Sequence, residues 1–379
     1  MSQIRQVHVP LARLLGALAL VAPGLALALT LALTLTGCGS SPTVDALVPK
    51  AGPPSPQTID LFYVTDRDAH PSREDFGTER GKVSYGIASV GIPPSHEIGR
   101  QEAPSVFRFE WSPDERKHIA LKGLLPMDQA EFFRQLDWAL EKSRDRRVMV
   151  FIHGYNTTFA DATRQVAQFA TDLKFAGPVL LFSWPSQGTL TGYTVDETNA
   201  EWAQPHFVQL LKDLLGKTSA KRIYLVAHSM GNRILTGGYI TLAGDRWVDG
   251  PNALREMILV APDLDADLFR QDVAPRLAES GIHVTLYASS GDRALLASRA
   301  FHGYARVGES GDGLVIVPGV ETIDASQATV GFIGHSYFTE DRRIMEDIYG
   351  ILQTGQRANN RFGLAPVDSN KGRYWVFRK

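Results

Sequence analysis

Five short apolar runs, at 148–152, 179–184, 223–227, 257–260 and 284–288, constrain this chain more than any other feature. They are rich in Val, Ile and Leu and do not alternate apolar with polar residues. Each therefore reads as a strand buried on both faces, the pattern of a parallel sheet. Parallel neighbours need crossover connections, and the stretches 160–173 and 197–215 are long enough to supply helices. A last strand is expected at 320–324 and a last helix at 341–352. The fold class is α/β, an open and mostly parallel sheet with helices on both faces. In such sheets ligands bind outside the carboxyl ends of the strands. Chemistry is expected in the loops that begin near 153, 185, 228, 261 and 289.

Ahead of this region, 59–64, 84–92 and 106–111 read as strands of an antiparallel or mixed edge region, a β-rich N-terminal extension. The stretch 127–143 has Phe132, Leu136 and Leu140 at helical spacing, with Asp128 able to cap it. No repeat and no second domain boundary appear, so 58–379 reads as one domain.

The chain has 379 residues, 44% hydrophobic and 21% charged, which is globular composition. Its formal charge of -2 gives no basic excess to call for nucleic acid. Cys38 is the only cysteine, so an intramolecular disulfide is impossible. Arg5 and Arg13 precede an uncharged run from Leu14 to Gly37 that ends in Leu35-Thr36-Gly37-Cys38. A positive start before an apolar run is an export signal. The run is also long enough to span a bilayer, which takes about 20 residues, so an uncleaved anchor is the other reading. Pro23-Gly24 would kink such a span. The four-residue ending resembles the lipobox of bacterial lipoproteins. That resemblance implies a signal peptide at 1–37, a lipidated Cys38, and a Pro-rich tether over 38–57. Gly39 follows the cysteine, which favours the outer membrane, with the domain facing the periplasm.

Five loops carry candidate chemistry. The run 223–227 leads straight into His228-Ser229-Met230-Gly231, and a helix is expected from 233. This is close to the G-x-S-x-G nucleophile elbow, with Ala227 in place of the first glycine. The bland alternative is a serine that caps a helix. The run 148–152 ends in His153-Gly154-Tyr155, where the N–H of Tyr155 is placed to join that of Met230 in an oxyanion hole. His153 itself reads as structural. Two acids follow strand ends: Asp292 in Ser289-Ser-Gly-Asp292, and Asp263 in Ala261-Pro-Asp263. Asp292 is preferred because the acid follows the penultimate strand, and Asp263 stays as the alternative. Either could instead cap a helix. His335, in Gly331-Phe-Ile-Gly-His335 after the last strand, is the expected base. His283 and His302 are the other histidines beyond Ser229. Asp263, Asp265 and Asp267 lack the companion ligands of a metal site.

Together, residues 148–352 resemble the α/β-hydrolase superfamily, and more narrowly a bacterial family of uncharacterised esterase/lipase-like proteins. Phe62-Tyr-Val-Thr-Asp-Arg67, Phe76-Gly-Thr-Glu-Arg-Gly81 and Ser84–Pro93 resemble that family's opening segment. The resemblance implies a serine hydrolase with the triad Ser229, Asp292 and His335 and no cofactor. A carboxylesterase acting on a small-molecule acyl substrate is the expected activity. Amide or thioester cleavage, and a non-catalytic binding module on the same fold, remain open.

Overall fold

The computed structural model describes residues 56–69, 75–104, 112–245, 254–328 and 341–378. These belong to one compact unit, Pro53–Lys379. The expected signal peptide, Cys38, nearly all of the tether, the strand at 106–111 and His335 lie outside the described residues.

Eleven described strands form one sheet, ordered β10-β11-β9-β8-β7-β6-β4-β5-β1-β2-β3. The central strands are β4 (Arg147–Ile152), β5 (Val179–Ser183), β6 (Arg222–His228), β7 (Leu254–Val260), β8 (His283–Ala288) and β9 (Val320–Asp324). All pair in parallel. Alternate residues feed two cores: Val148, Val150 and Ile152 face one, Met149 and Phe151 the other. The first core is closed by α1 (Gln129–Lys142), α3 (Tyr193–Lys217) and α4 (Gly231–Gly244). The second is closed by α2 (Phe159–Asp172). Helices therefore cover both faces, as the unbroken apolar strands require.

Helix starts follow local chemistry. The Asp128 carboxylate accepts from the Glu131 N–H at 2.8 Å and caps α1. Thr158 and Asp161 form a reciprocal capping box on α2. Helix α3 begins at Tyr193, four residues before the expected start, which puts Tyr193 and Asp196 on its first turn. After β7, α5 (Ala266–Leu268) passes through a π-turn into α6 (Ala274–Ser280). Its cap is Asp265, whose side chain accepts from the N–H groups of Asp267 and Leu268. Asp263 therefore does not serve as the cap. Helix α7 (Arg293–His302) follows β8, and α8 (Arg342–Thr354) follows β9.

The extension is mixed, but its first strand is not at the edge. Strand β1 (Gln57–Ala69) pairs in parallel with β5 over Phe62–Thr65 and antiparallel with β2 (Phe76–Ile92). Leu61 to Arg67 are all buried as a result. The antiparallel edge is made by β2 and β3 (Ala120–Met127). At the other edge the sheet runs past the expected last strand. A hairpin of β10 (Leu364–Ser369) and β11 (Gly372–Phe377) adds to it, with β11 parallel to β9.

Candidate active site

Ser229 stands between β6 and α4 with φ 52°, a left-handed conformation that L residues adopt at a cost of about 1–2 kcal/mol. The turn is held from both sides. The Ser229 N–H donates to the Val260 carbonyl at 2.9 Å, and its own carbonyl accepts from the N–H of Asn232 at 3.1 Å and of Asp263 at 3.2 Å. The buried Asn232 amide donates to both Ser229 and Val260 carbonyls. Gly231 is required by space: a β-carbon there would lie 2.5 Å from the His153 carbonyl oxygen. Met230 opens α4, so its N–H is among the first-turn donors that a helix leaves unused within itself.

The loop after β4 packs on this turn. A β-carbon on Gly154 would fall 2.9 Å from the Ser229 β-carbon. Two buried groups absent from the expected site hold the loop. Asp196, on α3, accepts from Ser186 Oγ at 2.6 Å and from the N–H groups of Gln187 at 2.7 Å and Asn156 at 3.1 Å. Burial raises its pKa above the usual carboxylate value. Arg67, at the end of β1, donates to Thr157, Ser186 and Gly77 carbonyls. His153 is buried and stacks on Trp184, with ring centroids 5.1 Å apart. Burial and the nearby Arg67 charge push its pKa well below the ordinary value, so it is neutral.

The two candidate acids differ in their commitments. Asp263 is buried with its carboxylate accepting from Arg306 Nε and Ser298 Oγ at 2.7 Å each, and from the Tyr193 hydroxyl at 2.5 Å. Burial pushes its pKa up, but Arg306 and Arg233 outweigh it and hold the group below the usual range. Asp292 is equally buried and caps α7 through Oδ1, which accepts from Ala294 and Leu295 N–H. Capping is thus an observed role for Asp292.

Of the three histidines that follow Ser229, two are accounted for. His302 contacts the Ser298 carbonyl at 2.8 Å and Glu197 Oε1 at 2.8 Å. His283 lies half-exposed at the start of β8, 3.6 Å from Glu256. His335 is outside the described residues. Tyr155 and Tyr193 meet edge to face at 5.3 Å, and Tyr193 meets His302 at 5.6 Å. Arg233, Arg306, Glu197 and His302 line an adjoining cavity of ≈ 460 Å³, walled on its apolar side by Leu264 and Phe269.

The site thus combines a serine in a strained strand-to-helix turn, a helix N-terminus beside it and a glycine loop against it, an arrangement chemically able to serve a nucleophile and to donate backbone N–H groups to an anion. Sequence reasoning missed Arg67 and Asp196 as site residues, while Tyr193 and Trp184 were readable as pocket aromatics. The signal for Arg67 was an arginine closing an apolar strand; Asp196 needed the true start of α3.

A family described as alpha/beta hydrolase of unknown function (DUF900) matches residues 128–352. An uncharacterized protein of Nostoc sp. is 26% identical over 121 residues, covering 25% of this chain and 32% of that protein. The chain thus spans about a third of the length of this curated relative. Among solved structures, a gene product of Listeria innocua shares 15% identity, with 55% of this chain and 94% of that chain covered and a TM-score of 0.36. Fungal esterases from Rhizomucor miehei share 13% identity, with 79% and 84% covered and a TM-score of 0.34.

Proposed function

The chain belongs to the alpha/beta hydrolase family of unknown function, and from that premise we propose that it is a serine hydrolase that cleaves carboxylic esters. The observation that carries this reading is Ser229 at φ 52°, held in its turn with Gly154 against its β-carbon.

In this reading His335 takes the Ser229 hydroxyl proton as the oxygen attacks the ester carbonyl. The N–H groups of Tyr155 and Met230 stabilise the tetrahedral oxyanion. The alcohol leaves with the proton that His335 returns, and water then resolves the acyl-enzyme with the same base. Asp292 orients His335 and stabilises its cation. Asp263 is disfavoured as the acid because Arg306, Ser298 and Tyr193 already occupy its carboxylate. No step calls for a cofactor.

The connection from β7 to β8 holds only α5 and α6, so the cleft carries no large cap there. That supports small or soluble acyl substrates. In this proposal the domain works at the outer membrane, tethered through a lipidated Cys38. Amides and thioesters would pass through the same steps. Nitrophenyl esters of rising chain length test the substrate class. Short chains are expected to be preferred, and Ser229→Ala should abolish turnover. An optimum at long chains with activation by lipid interfaces would overturn the esterase assignment.

A further inference from the structure

Resting on the serine-hydrolase reading, we propose that Arg67 is a positioning residue for the oxyanion hole, acting through His153 on the peptide that carries the Tyr155 N–H.

The Arg67 guanidinium is fully buried and uses all five of its N–H groups. Nε donates to Ser183 Oγ at 3.0 Å. Nη1 donates to the carbonyls of Gly77 and Ser186, each at 3.0 Å. Nη2 donates to the Thr157 carbonyl at 2.7 Å and contacts His153 Nε2 at 3.3 Å. None of these acceptors is a carboxylate. A buried cation without a direct ion partner is costly. Burial lowers its pKa to about 10, against the pull of Asp66 and Asp196. What the arrangement provides is a rigid planar fork that reaches three backbone segments at once, which a lysine cannot do.

The consequence runs through one imidazole. An arginine only donates, and the Ser183 hydroxyl, which accepts from Arg67 Nε, is left to donate its own proton to Nε2 at 3.2 Å, so His153 Nε2 is an acceptor and the ring proton sits on Nδ1. Nδ1 lies 2.8 Å from the Gly154 carbonyl oxygen and donates to it. That carbonyl and the Tyr155 N–H belong to the same planar trans peptide, so they point in opposite directions. Fixing one fixes the other. Trp184 secures the preceding peptide, with Nε1 donating to the His153 carbonyl at 2.8 Å. Arg67, His153 and the Gly154–Tyr155 peptide thus form a chain of donors that aims the Tyr155 N–H, and successive bonds polarise one another. Arg67 lies on β1, outside the residues 128–352 that match the family. The extension is therefore part of the catalytic apparatus.

The test compares wild type with Arg67→Met, Arg67→Lys and Trp184→Phe. Active sites are first counted by stoichiometric titration with a fluorophosphonate, which separates the fraction folded from the rate per site. Per titrated site, Arg67→Met should lower kcat by about 10- to 100-fold with KM nearly unchanged, a part of the roughly 10²–10³ lost with a whole oxyanion donor. The inhibition constant of a trifluoromethyl ketone should rise by the same factor. Arg67→Lys and Trp184→Phe should give smaller losses of the same kind. The nitrogen-15 spectrum of His153 should show the Nδ1–H tautomer in wild type and its loss in Arg67→Met. Unchanged kcat per titrated site would overturn the proposal. If wild type is not titrated at all, the serine-hydrolase reading falls instead. In that case a tautomer that persists in Arg67→Met would also overturn the positioning role.

Discussion

Gly154 and Ser229 lie so close that a β-carbon on the glycine would come within 2.9 Å of the serine β-carbon and of His228 Nδ1. Ser229 cannot retreat, since it is pinned by Val260 and Asn232. Gly154→Ala should therefore displace the loop of Tyr155. The expected loss in kcat is about 10²-fold, as for a lost oxyanion donor. The fold should survive with a modest drop in thermal midpoint, because the strain is local. Paired rate and melting measurements check this. Full activity in Gly154→Ala would refute the placement of the hole.

Asp263 and Asp292 should fail in different ways. Asp263→Asn leaves the Arg306 guanidinium buried without its charge partner, a loss of about 3–5 kcal/mol of stability. Asp292→Asn keeps the residue's size and its cap while removing the charge that, in the proposed triad, steadies the His335 imidazolium. Its kcat should fall by about 10³–10⁴ with little change in stability. Chemical denaturation and steady-state kinetics on both variants separate the two roles. The reverse pattern would make Asp263 the acid.

His96 supplies a pH-dependent clasp. Its Nδ1 meets Glu102 at 2.8 Å and its Nε2 meets Asp172, on α2, at 2.9 Å. Burial pulls its pKa down, yet Asp172 and Glu102 together lift it from 6.5 to about 9. A pKa raised on folding means the charged form is preferred in the native state. The stabilisation is complete below pH 6.5 and is lost as pH rises through about 9. Melting of wild type and His96→Gln should differ most at pH 6 and converge above pH 9. A constant difference would contradict the assignment.

The central sheet was legible because buried parallel strands announce themselves as unbroken apolar runs, and the turn at Ser229 because its flanking small residues are spaced for a tight turn. Asp128 was readable as a cap from its place before Phe132 and Leu136. The position of β1 was not. Nothing in Phe62–Val64 distinguishes an edge strand from one inserted beside β5, since both are apolar. Its neighbour is set by long-range pairing, from Phe62 to Leu180 and from Thr65 to Ser183. The partners of Arg67 were unreadable for the same reason, because its acceptors come from residues 77, 157, 183 and 186. The β10–β11 hairpin has a local signal in the β-prone run Tyr374, Trp375, Val376 and Phe377 that follows Gly372. It lies past the last helix, outside the strand–helix alternation that marks the rest of the sheet.

The central claim is that Ser229 is a nucleophile activated in place. Mass spectrometry of the protein after reaction with a fluorophosphonate tests it most directly. One adduct per chain on Ser229 in wild type, with none in Ser229→Ala, is the predicted result. An unlabelled wild type, or equal labelling of Ser229→Ala, would contradict it.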